Sequence, residues 1–279
     1  MQVYTPDINI KEYDSEMIKK FGKKLPNYNI TILRDQDLHE SDIVRITNTI
    51  GNVMNPKRFY MHPEYPGLFR VTNKRVEGEK IGIFADKELG WHSNGNGRKL
   101  IGDEACVALY CVKPGDDSIT SFVDMRQAYD DLSTEVKYRL DNTVCNYQFK
   151  NNTFYNLDPD DKELVMFDTK KLYPEGVWKP LVHTHPYNGD RALFFSYHYI
   201  QGGLDKDTYN FLMEWCFQDR YVYHHEWEAG DLVFMDQWNS LHKRNEVKGD
   251  RLLYRICLDY NGSYGKKVRP LRNKNQNNS

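Results

Sequence analysis

The sequence predicts a mainly β fold, a barrel or jelly roll with helices packed around it. Three observations carry this. The last third holds several short apolar runs separated by Gly-containing turns, the pattern of a barrel or jelly roll. Aromatic residues reach 14%, with 20 tyrosines, which favours strands over a helical bundle. With 39% apolar residues, the 279-residue chain can also fill a substantial core.

Taken in order, Tyr28-Asn-Ile-Thr-Ile-Leu33 alternates as a strand does. Ser41 to Ile50 reads as a helix, with Ile43, Ile46 and Ile50 at helical spacing and Ser41 as its expected N-cap. Ala105 to Val112 is a strand closed by the turn Pro114-Gly-Asp-Asp117. Ser121 to Leu140 reads as a helix with Met125, Tyr129 and Leu132 on one face. Val177 to Thr184 is a strand ended by Pro186-Tyr-Asn-Gly189, and Ala192 to Tyr199 is another. A helix is expected over Asp205 to Cys216, then strands over Arg220 to Trp227, Asp231 to Asp236 and Leu252 to Asp259. No repeat or long Pro/Gly/Ser linker divides the chain, so residues 1–279 read as a single domain with a disordered polar tail over 272–279.

Bulk properties narrow the function classes. A formal net charge of −2 with scattered basic residues argues against nucleic acid. No apolar run reaches membrane-spanning length, so no membrane partner is expected. The polar start, Met1 to Asp14, lacks a secretory h-region. Five cysteines without C-x-x-C spacing point to a reducing, cytoplasmic setting, not a disulfide framework or zinc knuckle. A small-molecule partner remains, with a homo-oligomer allowed.

Nine histidines are available for chemistry. His92 lies in Gly90-Trp-His-Ser-Asn-Gly-Asn-Gly97, which reads as an exposed functional loop; alone, a loop histidine without a ligand is the commoner case. His242 follows the strand ending at Asp236 and reads as a loop residue. Arg251 and Arg255 come next. Four apart on a strand, they share a face, and two guanidiniums with a histidine at a barrel mouth would suit an anion beside a metal. A salt-bridged strand edge is the bland alternative. His183-Thr-His185 competes as a metal pair but has no further ligands nearby, and His224-His225 would point to opposite faces. All four read as structural.

Together these segments resemble the taurine dioxygenase (TauD/TfdA-like) family of Fe(II)- and 2-oxoglutarate-dependent oxygenases, over about Asn27 to Asp259. Trp91-His92 resembles the family's Trp-His-Thr-Asp segment. Asp117-Ser-Ile-Thr120 with the Ala128-Tyr-Asp-Asp-Leu-Ser133 helix is similar to its Gly-Gly-Asp-Thr turn and following helix. Pro180 to Phe194, and Gly230-Asp-Leu-Val-Phe-Met-Asp236 followed by His242, Arg251 and Arg255, match in order and spacing. The resemblance implies a double-stranded β-helix core and a facial triad of two histidines and a carboxylate on Fe(II), with O2 and 2-oxoglutarate as cosubstrates. It implies that His92 and His242 ligate the metal, and that Thr120 and Arg251 hold the distal carboxylate of 2-oxoglutarate. Arg255 then faces either substrate or cosubstrate, and Asp236 supports the closing loop.

One position departs from the pattern. The family has His-x-Asp or His-x-Glu, whereas this chain has His92-Ser-Asn94. Asn94 becomes the third ligand position, with a neutral amide where a charged carboxylate is expected. Asp103 and Glu104 lie beyond the loop, near the next strand, and are not obvious replacements. The expected activity is oxygenation, chiefly hydroxylation, of an aliphatic C–H bond in a small anionic or zwitterionic molecule. The alternatives are a halogenase-like enzyme with an exogenous anion at iron, or a silent relative that binds a small anion. Phe84 with the Asp86–Trp91 loop, and the Asn151–Glu175 stretch, are expected to form walls or lids.

Overall fold

The computed structural model describes residues 1–54, 61–82, 87–94, 104–148 and 174–265. Phe84, Asp86, Asp103, most of the Asn151–Glu175 stretch and the tail from Arg272 lie outside them.

Strand β1 (Val3–Tyr4) runs parallel to β2 (Ile30–Leu33), and α1 (Ser15–Gly22) lies between them in sequence. Helix α2 (Glu40–Ile50) follows the expected apolar spacing, but its cap is His39 and not Ser41. The His39 ring nitrogen accepts from Ser41 N while the Asp42 carboxylate accepts from His39 N. That reciprocal pair satisfies two exposed donors of the first turn. Next come β3 (Phe69–Thr72), the hairpin β4 (Arg75–Val76) and β5 (Glu79–Lys80), and β6 (Leu89–His92). Strand β7 (Cys106–Lys113) turns through Pro114–Asp117 into β8 (Ile119–Asp124), with Gly115 at φ 80° and Asp117 at φ 52°.

The helix expected over Ser121–Leu140 is the end of β8 followed by two short helices, α3 (Met125–Asp130) and α4 (Thr134–Asp141). Ile119 to Val123 carries β-branched and aromatic residues, and pairing on both edges outweighs any local helical pattern. Asp124 and Ser133 then cap the helices by accepting from Gln127 N and Val136 N. Strands β9 (Val144–Tyr147), β10 (Val177–Pro180), β11 (Val182–Thr184), β12 (Arg191–Leu193) and β13 (Ile200–Gly202) follow. The strand expected over 177–184 breaks at Leu181, and that over 192–199 stops at Leu193. Helix α5 (Lys206–Cys216), capped by Asp205, leads to β14 (Val222–Glu226), β15 (Leu232–Asp236), β16 (Ser240–Arg244), β17 (Leu252–Leu258) and α6 (Asn261–Tyr264).

A six-stranded sheet, β1-β2-β15-β7-β17-β3, faces a four-stranded one, β14-β8-β16-β6. Strand alternation sends Ile30, Ile32, Val107, Leu109, Cys111, Val233, Met235, Leu253 and Cys257 inward to meet Phe122 and Trp227. The opposite side of the large sheet packs on α1 and α2 through Phe234, Ile256, Ile18 and Ile46. The small sheet packs through Val123, Leu241 and Trp91 on α3 and α5. The result is a mainly β jelly roll with flanking helices. Each fully buried aliphatic contributes about 1.5–3 kcal/mol. More important for function, a dry interior raises the electrostatic stakes of any polar group placed there. The five cysteines are free and buried. No helix among the described residues is long and apolar enough to cross a membrane.

Candidate active site

Several polar side chains break the apolar inner face, and they belong to the residues the sequence singled out. His92 ends β6 and His242 sits inside β16, where the two are Cα partners in an antiparallel ladder. Neither occupies the exposed loop expected for it: His92 is 7% exposed and lies on a strand. Their rings stand 4.2 Å apart at 44°. His92 Nδ1 donates to the Gly90 carbonyl at 2.7 Å, which fixes the tautomer and leaves Nε2 with its lone pair. Burial, opposed by that hydrogen bond and aided by the charges of Arg255, His198 and Arg244, holds the His92 imidazole down to about 4. Burial first, then His92, Arg255 and Arg244, keep His242 well below the ordinary range. Both rings are therefore neutral at physiological pH, the form that ligates a transition metal.

Asn94 follows two residues after His92. Its backbone N–H donates to Gln237 Oε1 at 2.8 Å, and the Ser93 hydroxyl donates to the same oxygen at 3.2 Å. The Asn94 side-chain nitrogen is buried without a hydrogen-bond partner. Gln237 lies in the turn between β15 and β16, so one side chain ties the His92 segment to the turn that launches His242. Asp236 fastens that turn. Its Oδ1 accepts from Trp238 N and Asn239 N at 3.0 and 2.9 Å. Its Oδ2 contacts His185 Nε2 at 3.0 Å and accepts from the Tyr260 hydroxyl at 2.8 Å. His185 is thus a structural partner of Asp236, and Asp236 supports the loop as expected. His183 is turned to the Pro180 carbonyl at 2.7 Å, and burial pushes it down to about 3. His224 and His225 point to opposite faces of β14, exposed and buried respectively.

The other end of the interior lies at the β7–β8 turn. Arg251 packs beneath Gly115 of that turn, and Thr120 sits on β8 just beyond it. Thr120 Oγ1 accepts from the Trp227 indole N–H at 2.9 Å, so its own proton remains available to donate. Arg251 is 3% exposed, and its Nε and Nη1 have no hydrogen-bond partner. Burial pushes its guanidinium down to about 10, so it stays charged at neutral pH. A buried cation with two unpartnered nitrogens calls for an anion, and a carboxylate matches its planar fork. Arg255 differs. Its Nη2 lies 3.5 Å from Glu104 Oε2, and its guanidinium carbon lies 5.2 Å over the Phe69 ring.

Glu104, Arg244, Gln237 and Trp227 are site residues that sequence reasoning missed. Glu104 starts the approach to β7 as expected, but its carboxylate reaches back to Arg255. Arg244 shares the inward face with His242, two residues before it in the same strand, and pairs opposite Thr120. Reading Ser240–Arg244 as a strand would have found it. No group of three His, Cys, Asp or Glu side chains converges to hold a metal among the described residues.

The sequence matches the family model described as "Taurine catabolism dioxygenase TauD, TfdA family" over residues 2–257. It is 25% identical over 273 residues to an alpha-ketoglutarate-dependent 2,4-dichlorophenoxyacetate dioxygenase of Cupriavidus pinatubonensis, covering 89% of this chain and 91% of that one. It is 24% identical over 248 residues to pentalenolactone F synthase of Streptomyces arenae, covering 84% and 82%. Among solved structures, AAD-2 with Mn(II) and N-oxalylglycine superposes with a TM-score of 0.71 at 20% identity, covering 96% and 94%. A taurine dioxygenase from Burkholderia xenovorans superposes with a TM-score of 0.69 at 17% identity, covering 92% and 88%.

Proposed function

The chain belongs to the TauD, TfdA family of dioxygenases, and on that premise we propose that it oxygenates an aliphatic C–H bond of a small anionic or zwitterionic molecule. It is an Fe(II)- and 2-oxoglutarate-dependent dioxygenase that consumes O2. The observation that carries the site reading is the cross-strand pairing of two neutral histidines, His92 buried and His242 half-buried, with their rings 4.2 Å apart.

The residues fit the family's cofactors in a specific way. His92 and His242 would offer two imidazole nitrogens to the metal, and Asn94 would offer an amide oxygen at the third position. Thr120 and Arg251 would take the distal carboxylate of 2-oxoglutarate, the Arg through its unpartnered nitrogens and the Thr through its remaining proton. Bound together, iron and 2-oxoglutarate supply the oxidant for an unactivated C–H bond. The protein's own work is to position and to exclude solvent. Gln237 and Asp236 hold the two histidine-bearing segments in one register, and the apolar floor of Phe122, Val233 and Met235 keeps the interior dry. Arg255 would meet the substrate. Because Glu104 already offsets its charge, a substrate bearing both an anionic and a cationic group suits the pair better than a simple anion.

One observation favours a second reading, in which an exogenous anion shares the iron and the product is halogenated. The Asn94 side-chain nitrogen is buried without an acceptor, and an anion would provide one. Incubation with Fe(II), 2-oxoglutarate and O2, with succinate as the readout, tests the enzyme reading. The native chain should form succinate and His242→Ala should not; equal traces from both would reject it. Chloride dependence of the rate would favour the second reading.

A further inference from the structure

Charge is distributed unevenly around the histidine pair. On the site reading above, the donors offered to a metal there, two imidazoles (His92, His242) and one amide (Asn94), bring no negative charge. Of the two guanidiniums nearby, Arg255 is offset by Glu104, whose Oε2 lies 3.5 Å from its Nη2. Arg244 lies on the same inward face as His242, two residues along β16. Among the described residues no carboxylate joins the histidines in metal-holding geometry. A divalent cation entering this interior alone would meet donors that bring no negative charge to it. At the other end, Arg251 holds a desolvated positive charge with two unpartnered nitrogens. That cation is already buried, so a dianion that satisfies it need not repeat the desolvation of the guanidinium.

We propose that this chain takes up its metal together with 2-oxoglutarate, not ahead of it: Arg251 and Thr120 anchor a dianion whose other end supplies the negative charge that Asn94 cannot. The inference rests on the site reading above. It makes the two binding events mutually dependent, because each ligand raises the affinity of the other by the same factor. Asn94 sets the size of the coupling by withholding negative charge. Arg251 sets whether the dianion can deliver it.

Mn(II) titrations read by loss of the free-ion electron paramagnetic resonance signal test this without turnover. The native chain should bind Mn(II) about 100-fold more tightly with saturating 2-oxoglutarate than without it, a coupling at the upper end of those usual between two sites. Asn94→Asp should bind Mn(II) tightly without 2-oxoglutarate, shrinking the ratio to less than about 10-fold, since an anionic ligand is restored. Arg251→Gln should lose the enhancement by 2-oxoglutarate. Tight Mn(II) binding by the native chain alone would overturn the proposal while leaving the dioxygenase reading intact. Enhancement that survives in Arg251→Gln would also overturn it. Failure to bind Mn(II) under either condition would overturn the proposal and the site reading together.

Discussion

At the β7–β8 turn the barrel interior holds a buried cation with unpartnered nitrogens, whereas at the histidine pair it presents neutral donors only. Both ends rest on the same apolar floor, so the difference lies in the polar side chains and not in the scaffold. On the proposed reading, the Arg251 end is the one that a ligand would complete, since its Nε and Nη1 have no hydrogen-bond partner. At the histidine end the strand segments are tied together by Gln237 and by the Asp236 cluster one layer behind. Function is thus divided between a site that waits for charge and a site that waits for charge to arrive with its neighbour.

The largest effect should come from breaking the support of the metal end. Asp236→Asn leaves donors from His185, Tyr260, Trp238 and Asn239 competing for one remaining acceptor. A loss of about 3–5 kcal/mol is expected, as for removal of one partner from a buried ionic cluster. Urea unfolding checks it. The cosubstrate end should behave in the opposite sense. Arg251→Met removes an unpaired buried charge, so the ligand-free protein should melt at a higher temperature than the native chain. The same change should weaken 2-oxoglutarate by about 2–5 kcal/mol, read by calorimetry. A native-like affinity would show that Arg251 is not the anchor.

Acid should strike the neutral end. His92 is held at about 4 and His183 at about 3, both below the ordinary histidine value, and His242 is shifted the same way. A folded value below the unfolded one means that the unfolded chain takes up more protons between them. Stability is therefore intact above about pH 6.5 and lost as pH falls from there toward 4. His92 alone accounts for on the order of 3 kcal/mol. Unfolding curves between pH 7 and 4.5 check this; a flat profile would remove the burial argument. The smallest effect is expected at the substrate wall. Glu104→Gln leaves Arg255 with an uncompensated charge and should shift preference from zwitterionic toward anionic ligands by about tenfold. Competition between phenylglycine and phenylacetate on the protein loaded with Mn(II) and N-oxalylglycine measures it.

Much of this was legible in the residues, but unevenly. Apolar alternation located β2, β7, β15 and β17, and the Gly-Asp and Pro-Gly turns separated them. The order of His92, Thr120, His242, Arg251 and Arg255 carried the site through its likeness to a family. Strand β16 was hidden, because Gln237-Trp-Asn-Ser-Leu-His-Lys-Arg244 has no apolar alternation; its inward residues are Ser240, His242 and Arg244. Arg244 was lost with it. Glu104 was set aside on sequence distance, yet its carboxylate, just ahead of β7, reaches Arg255 at 3.5 Å. The helix misread at Ser121 shows the same limit: Met125, Tyr129 and Leu132 do mark helical packing, but edge pairing decides where the strand stops.

The central claim, a metal and 2-oxoglutarate held between His92, His242 and Arg251, is tested most directly by adding Fe(II) and 2-oxoglutarate to the anaerobic protein. The readout is the weak visible band of the metal–cosubstrate chelate. The account predicts a band in the native chain, dependent on both additions and absent in His242→Ala and Arg251→Gln. A band that appears only in Asn94→Asp would contradict it, because the natural chain would then have lost the metal site that its histidines still outline.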